Sequence, residues 1–269
     1  MPFNDLYRRQ VALLIRTIPF VSRETDFALK GGTAINLFVR DMPRLSVDID
    51  LTYLPVKPRN ESLAGIEQAM KRIAMAIRNS IPGVHVAEGR TVPEGAITKL
   101  NARIDDVQIK IEVTPVLRGC VYDPLQRAVS ESVEATFGYA EAQVVSFADL
   151  YAGKLVAALD RQHPRDLFDV RDLLANEGID DQLRRSFVVY LISHNRPMHE
   201  LLAPVRKSIT GEFERGFVGM TDISIRQSLD PIDQDNLRPR ARSGLSDAGR
   251  FQPSSGTRNS ASNALVFQH

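Results

Sequence analysis

The chain has 269 residues, 43% hydrophobic and 25% charged, with 34 Lys+Arg against 33 Asp+Glu and a formal charge of +1. Those proportions describe a globular chain able to bury a substantial core; the charge balance excludes a histone-like or polybasic protein but leaves room for a local basic groove. The single cysteine, Cys120, excludes an internal disulfide and a Cys-based zinc site, and no apolar run reaches the ~18 residues that a membrane-spanning helix needs.

Residues 1–20 read as a helix. Arg8 and Arg9 ahead of the apolar residues 11–15 imitate the start of a secretory signal. Arg16 cuts that run short, however, and no small-residue cleavage site follows, which points to a cytoplasmic protein. From 26 to 145 short helical and strand segments alternate. Phe27, Ala28 and Leu29 predict a strand ending at Gly31-Gly32. Residues 33–39 read as a helix packed through Ile35, Leu37 and Phe38, with Thr33 as its cap. Residues 45–54 alternate as a strand, with Val47, Ile49 and Leu51 on one face and Ser46, Asp48 and Asp50 on the other. A helical period over 61–79 stops at Pro82-Gly83. Strands follow at 96–104 and 107–113 with a turn at Asp105-Asp106; the second puts Gln108, Lys110 and Glu112 opposite an apolar face.

From 146 to 207 the chain reads as helical. Ser146 is the first N-cap, with Asp149 as its capping-box acid. A second helix opens on Pro164 and stops at Gly178, and two more are predicted at 180–193 and 198–209. Beyond Arg226 apolar periodicity gives way to Ser, Arg, Asp, Gly and Pro, a composition that buries too little to fold. The organisation is thus residues 1–145, then a helical part at 146–225, then an atypical tail at 226–269.

Gly-rich phosphate fingerprints of the GxGxxG and GxxxxGK[ST] types, HExxH and GxSxG are all absent, and the five histidines show no metal-ligand spacing; His194 and His199 are split by Pro197. Gly31-Gly32-Thr33 is the first chemical feature. Glycines between a strand and a helix let backbone approach a ligand, and the helix start offers N–H groups to phosphate. Asp48 and Asp50 are the second. Two carboxylates about 5 Å apart repel by about 3 kcal/mol at an effective dielectric near 20, so they call for a cation such as Mg²⁺. Glu112 on another strand has the parity to complete a two-metal clamp, and Lys110 could hold a triphosphate. Lys154 and Arg161, seven apart, share one helix face; Asp166 and Asp169 share a face of the next, so a helix hairpin would bring cations and acids together.

Taken together, Lys30-Gly31-Gly32-Thr33, Arg44-x-Ser46-x-Asp48-x-Asp50-Leu51, Lys110-x-Glu112, Asp149 with Lys154, and Arg161-x-x-x-Arg165-Asp166-x-x-Asp169 resemble the AbiEii family of nucleotidyltransferase toxins over roughly residues 20–210. The resemblance implies an α+β fold: a DNA polymerase β-like mixed sheet with helices, then a helical bundle, with the active site between them. It implies Mg²⁺-dependent transfer from an NTP to RNA, a tRNA 3′ end being the acceptor in related toxins, and a cognate antitoxin. Carried over by position, Asp48 and Asp50, with Glu112, bind metal. Gly31, Gly32, Thr33, Arg44 and Ser46 hold the nucleotide, and Lys154 binds its phosphates. Asp166 is the catalytic acid of the last motif, supported by Lys110, Arg165 and Asp169. Two other readings use the same residues: transfer to a small molecule such as an aminoglycoside, and a non-catalytic nucleotide-binding regulator.

Overall fold

The alternation over residues 45–54 becomes a strand of one buried and one open face, and the rest of the molecule is arranged around it. The computed structural model describes residues 3–221, so the expected tail at 226–269 lies outside the described residues. Among the described residues seven strands form one mixed sheet in the order β3-β4-β5-β2-β1-β7-β6. They are β1 (Phe27–Lys30), β2 (Asp48–Tyr53), β3 (His85–Arg90), β4 (Ile97–Ile104), β5 (Val107–Arg118), β6 (Leu125–Ala128) and β7 (Glu141–Val144). The central β2 runs parallel to β5 and antiparallel to β1.

Ile49 and Leu51 of β2 and Ile109, Ile111 and Val113 of β5 are buried on one face. That face is covered by α1 (Asp5–Val21), capped by the Asn4 side chain, and by α3 (Arg59–Ser80), whose Ile66, Met70, Ile73 and Ile77 recur at helical spacing. A short helix, α2 (Gly31–Thr33), runs directly from β1 into a π-helical turn over Ala34–Val39. On the other side of the sheet stand α5 (Phe147–Arg161) and α6 (Pro164–Asn176), with α7 (Asp181–Ile192) against α5. A small helix, α4 (Glu131–Phe137), links β6 to β7. One hydrophobic cluster continues from α1 through the sheet into α5, α6 and α7, so the helical part shares its core with the sheet.

Three expectations are corrected. The helix predicted at 198–209 is only α8 (Met198–Leu202), because Pro204 lacks an N–H and drives Ala203 out of helical geometry (φ −125°, ψ 59°). A further helix, α9 (Thr210–Gly216), follows it. Asp149 does not close a capping box: Ser146 accepts from the Asp149 N–H, but the Asp149 carboxylate accepts from the Ser146 hydroxyl and from the N–H groups of Val121 and Tyr122. Thr33 is no cap either, since it lies inside the helical stretch.

Candidate active site

Strand pairing assembles the charges on the open face of the sheet. Asp48 stands opposite Lys110 and Asp50 opposite Glu112; Lys30 faces Asp50 from β1, and Lys99 faces Glu112 from β4. Paired residues share a face, so these side chains form a patch of alternating charge above the sheet. Lys110 Nζ lies 2.8 Å from a Glu112 carboxylate oxygen.

The glycines serve this patch rather than an open loop. Gly31 has φ +73°, and a Cβ there would come within 2.6 Å of Asp50 Oδ2 and 3.1 Å of its Cβ; a Cβ on Gly32 would meet the Arg44 guanidinium at 2.8 Å and Ser46 Oγ at 2.9 Å. Gly31→Ala is expected to cost about 1–2 kcal/mol for the left-handed backbone alone and to displace Asp50, so that transfer activity falls further than stability does. A fully stable, fully active Gly31→Ala protein would show that Asp50 is not held against this turn.

The helical side is built at the α5–α6 corner. Gln162 ends α5 in the left-handed conformation (φ 53°), His163 Nδ1 accepts the Arg165 N–H, and Pro164 opens α6. The corner brings Lys154 within 3.0 Å of both Asp166 and Asp169, while Arg161 binds Asp166 through two nitrogens. Asp169 also takes two hydrogen bonds from Arg44, at 2.8 and 2.6 Å, and one from Asn36 at 3.1 Å. The remaining Arg44 nitrogen donates to the Leu45 carbonyl.

The two sides enclose a cleft of about 630 Å³ lined by Gly31, Gly32, Arg44, Ser46, Asp48, Asp50, Lys110, Glu112, Lys154, Arg165 and Asp166. Arg165 reaches across it to within 4.0 Å of Asp48. Thr33 and Asp169 are outside the lining. Thr33 is fully buried, donates its hydroxyl to the Asp48 carbonyl and sits 3.1 Å from Ser46 Oγ; it props the strand and has no surface for a phosphate. Arg44 borders the cleft, with three of its five N–H groups given to Asp169 and Leu45.

Three features escaped the sequence. Lys30 lines the cleft, which the directness of the β1-to-Gly31 junction could have signalled. Asp149 ties the loop after β5 to α5. The segment at 219–221 clasps the Arg44 region: Leu45 donates to the Met220 carbonyl, Thr221 to the Pro43 carbonyl and Asn4 to the Gly219 carbonyl.

Burial and the neighbouring charge of Asp48 push the Asp50 carboxyl above its usual range, against the pull of Lys30, Lys110 and Lys154. Burial lowers the Lys30 ammonium, opposed by Asp50 and Glu112. For Lys110, burial pulls down, but its hydrogen bond to Glu112 and the surrounding carboxylates win and the net shift is up. Burial also penalises the ionised forms of Asp166 and Asp169, yet Lys154 and Arg161 hold Asp166 well below the usual carboxylate range, and Arg44 and Lys154 lower Asp169. A carboxyl depressed on folding contributes stability that is present above its unfolded pKa of about 3.9 and lost as pH falls below it. The melting temperature should therefore be insensitive to these two acids between about pH 7 and 5 and fall steeply below about pH 4. A melting temperature flat down to pH 3 would contradict the buried ion pairs.

Among the described residues no group of three or more His, Cys, Asp or Glu side chains is placed to hold a metal ion. Glu112 is engaged by Lys110 and does not join Asp48 and Asp50. Asp48 and Asp50 still offer hard oxygen donors toward the cleft. That donor set fits Mg²⁺, which binds through one or two carboxylates and completes its shell with water and phosphate oxygens.

The sequence model of the family described as "Nucleotidyl transferase AbiEii toxin, Type IV TA system" matches residues 12–254. Among solved structures the fold is similar to MenT4, nucleotidyltransferase toxin Rv2826c from Mycobacterium tuberculosis H37Rv, with a TM-score of 0.56 at 15% identity over 82% of this chain and 86% of that one. No curated protein matches in sequence. No helix among the described residues is long and apolar enough to cross a membrane.

Proposed function

The chain belongs to the AbiEii family of nucleotidyltransferase toxins of type IV toxin–antitoxin systems, and from that premise we propose that it transfers a nucleotide from an NTP to an RNA, the 3′ end of a tRNA, within the cleft between the sheet and the α5–α6 corner. The observation that carries this reading is the meeting of Asp48 and Asp50 with Lys154 and Arg165 in one cleft, hard oxygen donors on one wall and cations on the other. Membership also brings an NTP substrate and a cognate antitoxin.

In the reaction the acceptor hydroxyl oxygen bonds to the α-phosphorus as the bond between that phosphorus and the α–β bridging oxygen breaks. Pyrophosphate leaves with the electron pair, and the hydroxyl proton passes to solvent. Asp48 and Asp50 are the residues that would hold Mg²⁺, which when bound neutralises phosphate charge. Lys154 gives two of its three ammonium hydrogens to Asp166 and Asp169 and keeps one for a phosphate oxygen. Its two acids fix it in place, so it meets the developing charge without reorganising. Among the described residues the Arg165 side chain has only its long approach to Asp48 to give up, and Lys110 adds a cation at the other edge. Gly31 and Gly32 leave room for the Asp50, Arg44 and Ser46 side chains that border the phosphate site.

The acceptor is tested by incubating the protein with α-labelled NTPs and Mg²⁺ beside total tRNA or a panel of aminoglycosides. Label on tRNA is the expected result. Label confined to an aminoglycoside would replace the RNA acceptor with a small molecule, and Mg²⁺-independent NTP binding without turnover would make the protein a regulator.

A further inference from the structure

The cleft is larger than its charged centre. On α5 two stripes face it: Lys154 and Arg161, seven residues apart, lie along α6, while Leu150, Gly153 and Ala157 form a second, apolar stripe toward α7. Gly153 is held small by Tyr190, whose ring would lie 3.3 Å from a Cβ there. Across the cleft β5 bulges: it advances from Val113 to Arg118 while its partner β2 advances only from Leu51 to Tyr53. Pro115, which cannot donate to the ladder, sits in that bulge. The bulge turns Val116 out, 63% exposed, yet still among the cleft-lining residues. At the rim after α7 Asn195 is exposed and lines the same cleft, and its amide has no hydrogen-bond partner among the described residues.

We propose that this apolar part of the cleft, between Val116 and the stripe of Leu150, Gly153 and Ala157, is the subsite for the nucleobase of the bound nucleotide, with Asn195 as the residue that reads its polar edge. The inference rests on the nucleotide reading of the cleft. The charged centre takes the phosphates, which leaves the base the part of the cleft where small apolar side chains give a face flat enough for a ring, with Asp160 and His194 also in the lining. An unpaired amide presents both donor and acceptor, the pair of groups needed to tell one base edge from another.

The test measures, on the full chain, the affinity of each Mg·NTP and of inorganic tripolyphosphate by calorimetry. Ala157→Leu, on a helix and facing the cleft, should weaken every NTP by about tenfold while tripolyphosphate binds as before. Val116→Ser should do the same to a lesser degree, and Asn195→Ala should narrow the spread among the four NTPs by about threefold or more. An equal loss for NTP and tripolyphosphate, no loss for either, or an unchanged NTP spread in Asn195→Ala would overturn the subsite. Wild-type protein that binds NTP no better than tripolyphosphate would sink the subsite alone, whereas wild-type protein that binds neither would sink the nucleotide reading along with it.

Discussion

Asp48→Asn should lower the turnover number for nucleotide transfer by about 10³-fold, since in the proposed reaction Asp48 would hold Mg²⁺ and its loss would remove several kcal/mol of transition-state stabilisation. Its melting temperature should not fall. Asp48 is only half-buried, its one ion pair among the described residues is the 4.0 Å approach of Arg165, and its charge is part of what raises the Asp50 pKa. Removing that charge relieves repulsion and leaves no buried group without a partner. Activity and stability thus separate in one variant, which steady-state kinetics and a thermal melt read independently. Transfer at the wild-type rate would remove Asp48 from the active site. A large drop in melting temperature would recast it as a structural residue.

Arg44→Ala should do the opposite. Arg44 and Asp169 are each 1% exposed and joined by two hydrogen bonds, and breaking a buried pair from one side typically costs about 3–5 kcal/mol. For a chain of this size that corresponds to about 10 °C in melting temperature. Arg44→Lys keeps the charge but loses the two-pronged geometry and should recover only part of the loss. If Arg44 served the triphosphate, as the motif alone implies, Arg44→Lys would stay stable and raise the KM for NTP. The structure predicts lost stability with the KM of the folded protein nearly unchanged.

The sequence disclosed what is set locally. The parity of β2 that puts Asp48 and Asp50 on the open face, the Asp105-Asp106 turn, the Ser146 cap and the Pro164 start each depend on a few neighbouring residues, and each is found in the structure. What it hid is set by distant partners. Arg44 meets Asp169 across 125 positions, a buried pairing that no local pattern signals. Thr33 looked like a cap because it follows two glycines, yet its hydroxyl turns inward to the Asp48 carbonyl. Gly31 and Gly32 read as room for a ligand, and the nearest atoms they make room for belong to Asp50, Arg44 and Ser46. Strands β3, β6 and β7 went unread. The largely exposed sequences of β3 and β6 carry little apolar alternation, and the four residues of β7 are too few to show a period. The family resemblance is legible because most of its motif residues line one cleft, from the β1–α2 junction, β2, β5 and the α5–α6 corner.

Paired incubations with tRNA and Mg²⁺, one using NTP labelled at the α-phosphate and one using NTP labelled at the γ-phosphate, test the cleft chemistry most directly. Attack at the α-phosphorus places the α label on the acceptor and releases the γ label as pyrophosphate, with both signals lost in Asp48→Asn. Transfer of the γ label to the acceptor, or transfer of the α label undiminished in Asp48→Asn, would contradict the account.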